Sequence, residues 1–243
     1  MQLIAQFRET LDVGQADYAF HLKRLWLVIE VLASKDSRLS EWFLTGNTQA
    51  DALLYPVYET ADTPSTAAVA VLKEEYRGED HLAKSISIWN GQTAKKDGAA
   101  LSLAFDNGSM PRDFDLSIGE ENAESSRLGN FESVAEVVAT IAEVYAPAYV
   151  TVAPRKYAAR QVFDDKPGVG WMLYLPKILT VQQVPEARAL IPVPEAGSKQ
   201  TGTIIVSVTD AVFSVDNPEH VEIANRIEIR LVDQDLLPCY SDI

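Results

Sequence analysis

Apolar residues recur at helical spacing in three long stretches of the chain. Leu22, Leu25, Trp26, Ile29 and Leu32 form one stripe, which predicts a helix over 17–34. Phe131, Val134, Val137, Val138, Ile141 and Val144 form a second. It predicts a helix over 131–145, closed by Pro147, which cannot continue the backbone ladder. Val221, Ile223 or Ala224, Ile227 and Leu231 form a third, opened by Asn217-Pro218 and ended by Pro238. A shorter helix is predicted over 66–76, between Thr63-Pro64-Ser65 and Gly78.

Elsewhere the period is two. Ser85-Ile-Ser-Ile-Trp89 alternates and ends at Asn90-Gly91, a pair that favours positive φ. Ala100 to Phe105 alternates and ends at Asp106-Asn107-Gly108; Phe114, Leu116 and Ile118 alternate with Asp113, Asp115 and Ser117. The three runs predict an antiparallel meander with one wet face. Further strands are expected at 149–152, 171–175 and 203–208, and a strand or extended packing segment at 39–46. The nearly unbroken apolar run Trp171 to Leu175 predicts burial on both faces. The polar stretch 120–129 reads as a loop, and a lobe boundary is placed near 119–130. The expectation is an α+β fold, one compact two-lobed unit over 1–243 with antiparallel sheet and packed helices.

Composition narrows the class. The 243 residues carry 21 Lys and Arg against 35 Asp and Glu, a net charge of −14, and 47% are hydrophobic. That is enough apolar surface to offset chain entropy, so disorder is not expected. No run of about 18 apolar residues occurs, so no membrane-spanning helix is expected. The opening MQLIAQFRETLDVGQ has no basic n-region, so no secretory signal is expected. Cys239 is the only cysteine, which rules out an intrachain disulfide and fits the cytoplasm. The acidity argues against nucleic acid as a direct partner, because phosphate backbones need clustered cations. The same field would speed encounter with a basic partner.

Candidate chemistry is thin. Neither Gly108-Ser109 nor Gly197-Ser198 lies in a G-x-S-x-G elbow. Cys239 has acidic neighbours in sequence, and a reactive thiol needs a basic setting. His21, His81 and His220 are far apart and lack metal-ligand spacing. Lys166-Pro-Gly-Val-Gly170 precedes a predicted strand, so it reads as a tight turn and not a phosphate loop. The pairs Asp113/Asp115, Asp164/Asp165 and Asp233/Asp235 have no accompanying D…E-x-K pattern for metal-dependent nuclease chemistry. No cofactor, metal or catalytic residue is assigned.

The acid is clustered. Residues 106–124 hold six acids against Arg112, and residues 210–243 hold eight acids against two arginines. Each run reads either as a solvated face or as a docking surface for a basic protein. On the second reading the partner-facing residues are Asp113, Asp115, Glu120 and Glu121 in the first cluster and Asp233 and Asp235 in the second.

Several stretches together resemble the immunity protein 52 family of bacterial polymorphic toxin systems. They are Glu41-Trp-Phe-Leu-Thr-Gly46, Ser87-Ile-Trp-Asn-Gly91, Gly168-Val-Gly-Trp-Met-Leu-Tyr-Leu-Pro176, Gly202-Thr-Ile-Ile-Val-Ser-Val208 and Asn217-Pro-Glu-His-Val-Glu-Ile-Ala-Asn225, running on to Leu236-Leu-Pro238. The likeness covers about residues 15 to 240, and the order and spacing of the motifs carry it. The resemblance implies a non-catalytic α+β antidote that binds a sibling's toxin in the producer's cytoplasm. It implies as partner a basic, restriction-endonuclease-like nuclease, often delivered by type VI secretion. It carries over no contact residues. Trp42, Trp89 and Trp171 are expected in the core, each in a predicted strand. The alternatives are an antidote enzyme of hydrolase type, including one that removes ADP-ribose, and a secretion-associated adaptor.

Overall fold

The computed structural model describes residues 1–8, 17–77, 84–105, 111–194 and 199–243. Gly78, His81, Asp106, the Asp106-Asn107-Gly108 turn, Ser109 and Gly197-Ser198 lie outside these residues. The described elements run β1 (Gln2–Phe7), α1 (Tyr18–Lys35), β2 (Phe43–Leu44), α2 (Gln49–Ala52), β3 (Tyr58–Thr60), β4 (Thr63–Pro64) and α3 (Thr66–Glu75). They continue with β5 (Lys84–Trp89), β6 (Ala99–Phe105), β7 (Arg112–Ile118), α4 (Phe131–Tyr145) and β8 (Tyr149–Ala153). The last are β9 (Met172–Leu175), β10 (Ala189–Val193), β11 (Gly202–Val206) and α5 (Pro218–Asp233). The fold is α+β: a nine-stranded sheet in the order β10-β11-β9-β8-β1-β7-β6-β5-β2, with a small β3-β4 ribbon. The neighbouring strands pair antiparallel.

The helices begin where side chains can satisfy the first-turn amides. Asp17 accepts from the Phe20 N–H, Ser65 from Ala68, Asn130 from Ser133 and Asn217 from Glu219. α4 stops at Ala146, which is left-handed at φ 46°, with Pro147 behind it. α5 ends at Asp233, ahead of the predicted stop at Pro238, and Asp235 turns left-handed at φ 52°. The 39–46 segment is mostly a turn and loop, with only Phe43 and Leu44 in a strand beside β5. β1 and β10 were not anticipated, and β1 is the strand on which the sheet is built: it pairs with β7 on one side and β8 on the other.

Register divides the sheet into two faces. Leu3, Ala5 and Phe7 lie opposite Leu116, Phe114 and Arg112 on β7, and Leu3 and Ala5 lie opposite Val152 and Val150 on β8. This face carries α1 and α4. Tyr145 of α4 packs its ring on Phe7 and Phe114, and Tyr18 and His21 of α1 pack on Phe105. Leu22, Leu25, Ile29 and Leu32 are fully buried beneath α1, each contributing about 2 kcal/mol of transfer free energy.

The opposite face is split. On β9 and β11 it is apolar and buried, through Leu173, Leu175 and Ile205. There the segments after β9 and around α5 cover it: Thr203 donates to the Lys177 carbonyl and accepts from the Leu179 N–H, and Tyr240 packs on Tyr149. On β5, β6, β7 and β1 no element covers it among the described residues. The turn before β9 locks the junction. Gly170 sits at φ 53°, and a Cβ there would lie 2.5 Å from Ala153 Cβ and 2.8 Å from the Val152 carbonyl oxygen. Gly170→Ala is therefore expected to lower stability by about 2 kcal/mol in urea denaturation; an unchanged midpoint would show that the turn yields.

Candidate functional site

The open half of the sheet face is a grid set by strand register. One row reads Ser85, Ala104, Asp113, Gln6, Tyr149; the next reads Ser87, Ser102, Asp115, Ile4, Thr151; the third reads Trp89, Ala100, Ser117, Gln2, Ala153. Small side chains make most of the floor. The only charges in the grid are the two aspartates. At Tyr149 the floor meets a wall, the Tyr240 ring.

Asp113 and Asp115 share this face, as their spacing predicts. Each is held by a glutamine of β1: Gln6 Nε2 donates to Asp113 at 2.8 Å, and Gln2 Nε2 donates to both oxygens of Asp115 at 3.0 and 2.9 Å. Asp113 is exposed and Asp115 half-buried. Two polar atoms of the same face are buried without a hydrogen-bond partner, Gln6 Oε1 and the indole Nε1 of Trp89. Neither glutamine was singled out in the sequence. The signal was available, because Gln2 and Gln6 alternate with Leu3, Ala5 and Phe7.

The other predicted acids separate. Glu120 turns inward and accepts from the Arg127 N–H at 2.9 Å and, more weakly, from Ser126 Oγ at 3.4 Å. Burial raises its carboxyl above the usual range against the pull of that amide. Glu121 is exposed and accepts from Lys96 at 2.9 Å, which with the lysine charge holds it below the usual range. Asp233 and Asp235 are exposed at the end of α5, on the covering layer and not on the grid. A hollow of about 420 Å³ lies at the Ala153 end of the third row, with Trp171 and Phe213 buried in its floor and Lys95, Lys156, Glu120 and Asp216 among its charged lining.

Two charged clusters hold the surroundings. Asp36 takes Arg127 Nε at 2.6 Å, with side chains 8% and 6% exposed, and Arg38 at 2.9 Å. Arg127 Nη1 also donates to the Gly98 carbonyl at 3.1 Å, and to that of Gly119. The pair thus ties the end of α1 to the turns flanking β6 and β7. Glu228 of α5 is 1% exposed and accepts from Tyr157 Oη at 2.6 Å, the Val162 N–H at 2.7 Å and the Val169 N–H at 2.9 Å. The Lys166-to-Gly170 turn is thus one wall of a carboxylate cradle. With three protein donors on its two oxygens and only 1% exposure, Glu228 is structural.

Cys239 differs from the sequence reading. Lys166 Nζ donates to its Sγ at 2.6 Å, so a lysine distant in sequence stands beside the thiol together with Asp165. Among the described residues no group of three His, Cys, Asp or Glu is arranged to hold a metal ion. Among the described residues no helix is long and apolar enough to cross a membrane.

Residues 16–239 match the family described as immunity protein 52. The chain belongs to the immunity protein 52 family. The motifs that carry this membership now have places. Trp42 and Trp171 are core, each 2% exposed, their indoles donating to the Leu39 and Val208 carbonyls. Trp89 departs from the expectation: it lies half-buried at a corner of the open grid. The fold of this chain is similar to that of a Pseudomonas aeruginosa T6SS protein, with a TM-score of 0.51 and 8% identity, over 94% of this chain and 75% of the other. No curated protein is significantly similar to the chain.

Proposed function

We propose that this chain is a non-catalytic antidote. It neutralises a cognate toxin by stoichiometric, non-covalent association in the cytoplasm of the producing cell. The toxin on this reading is a nuclease with a basic substrate surface, and a type VI secretion system delivers it. Membership of the immunity protein family over residues 16–239 carries the proposal. The net charge of −14 supports the nature of the partner, because a nuclease must present Lys and Arg to its substrate.

Titration tests it. One equivalent of the chain should abolish toxin activity, and the complex should survive gel filtration. Protection at far below one equivalent would mean an antidote enzyme. Binding without protection would mean an adaptor. Separate elution of the two pure proteins at micromolar concentration would overturn the reading. Electrostatic steering adds a kinetic expectation: the association rate should fall roughly tenfold between low and high salt while the dissociation rate changes much less. Stopped-flow or surface kinetics would read both.

A further inference from the structure

We propose that the open half of the sheet is the toxin-docking surface, and that it receives a toxin helix with two basic side chains one turn apart. This rests on the immunity reading above and adds the surface and its complement. The opposite half of the same sheet face is sealed by the segments around α5, whereas among the described residues no element lies over β5, β6, β7 and β1. What is left open is not an ordinary solvated face. Its centre holds a column of carboxylate, Asp113 and Asp115, with no cation on the three rows; Arg155 stands at the third row, lining a hollow with Gln2, Ser117 and Trp89. Ile4 stands next to Asp115, and Trp89 occupies a corner. Two of its polar atoms, Gln6 Oε1 and Trp89 Nε1, are buried without a hydrogen-bond partner within the chain, so a docked partner reaches them only where their side chains turn outward.

A helix lying along β7 fits this face. Successive same-face positions on a strand are about 6.7 Å apart. A helix repeats its face every turn, about 5.4 Å, with Cβ atoms of residues i and i+4 about 6 Å apart. Two Arg or Lys at that spacing reach Asp113 and Asp115 when the helix lies along β7. The Ala and Ser residues of β6 let it approach, and the Tyr240 wall limits its sideways position. β6, β7 and β1 are paired on both sides, so a strand added at a free edge of the sheet would leave this face uncovered.

The test uses the full chain and the toxin encoded beside it. The double reversal Asp113→Lys/Asp115→Lys should weaken binding about 100-fold. Ser102→Trp, which fills the floor, should weaken it about tenfold. Asp233→Lys/Asp235→Lys on the covering layer should change it less than about threefold. Circular dichroism and melting would confirm folding; if the reversal fails to fold, the isosteric Asp113→Asn/Asp115→Asn should still cost about tenfold. A toxin carrying Glu in place of two basic residues spaced i, i+4 should restore binding to the reversal. Restoration only by a pair spaced i, i+2 would overturn the helix. Full affinity in all the grid variants, with the unaltered chain still neutralising toxin, would overturn the surface and leave the immunity reading standing. Failure of the unaltered chain to bind would remove both.

Discussion

Glu228→Ala is expected to lower the stability of the fold by about 4 kcal/mol, read by urea denaturation at neutral pH. The substitution removes one acceptor from three donors at once. The Val162 and Val169 N–H groups would be left facing the space it vacates, and Tyr157 Oη would keep only Asn225 Oδ1, at 3.1 Å. Glu228→Gln tests the same point with little change of volume: its amide would set a donor against a donor, and about 3 kcal/mol should be lost. The pH dependence has a definite sign. Burial raises the Glu228 carboxyl above the usual range, although the three hydrogen bonds pull it down. The folded state therefore holds this proton more tightly than the unfolded chain does. The ionised form costs stability at high pH, and that cost is relieved as pH falls through the folded value and is gone below about 4.3. Loss of stability within about 1 kcal/mol of wild type for both variants would show that the loops bring their own acceptors.

The second large effect belongs to Asp36. Burial would raise its carboxyl, but the hydrogen bonds from Arg38 and Arg127 outweigh burial and hold it down to about 2. Asp36→Ala should cost about 3–4 kcal/mol, because it strands the Arg127 guanidinium, 6% exposed, without its countercharge. Here the sign is opposite to that at Glu228. The folded carboxyl gives up its proton more readily than in the unfolded chain, so its contribution is complete above about pH 4 and is lost as pH falls toward 2. Acid denaturation of the variant beside wild type would separate the two groups. A wild type and an Asp36→Ala variant that unfold in parallel from pH 6 to pH 2 would show that Asp36 contributes nothing there.

The elements legible in the sequence are those whose signal is local. α1, α3, α4 and α5 each have a capping side chain and a stripe with helical period, and each begins within a residue of its predicted start. β5, β6 and β7 form the expected meander, with Asp113 and Asp115 on the wet side. What was lost depended on partners distant in sequence. Gln2–Phe7 is short, and Ile4 on its polar side blurs the alternation that buries Leu3, Ala5 and Phe7. β10 is an edge strand with Pro192 in it, a residue that argues against a central strand. Glu228 stands on the buried stripe of α5 with Ala224, Ile227 and Leu231, where an apolar residue would be ordinary. That position was readable; the loops that satisfy it were not. Glu120 and Asp113 look alike in sequence, yet one is folded onto Arg127 and the other faces outward. Only the path of the 120–127 loop tells them apart.

The place of β1 sets a timetable for synthesis. Its two neighbours are β7 and β8, the second ending at Ala153. A ribosome adding about 15 residues per second makes β1 wait roughly ten seconds for its last neighbour. For about seven of those seconds both hydrogen-bonding edges of β1 are free, and the edge that takes β8 stays free to the end, so nothing built on the sheet is complete. β1 is therefore completed late, long after it has been made. Supply of active protein in a cell will follow the capacity to shield that segment as closely as it follows the rate of translation.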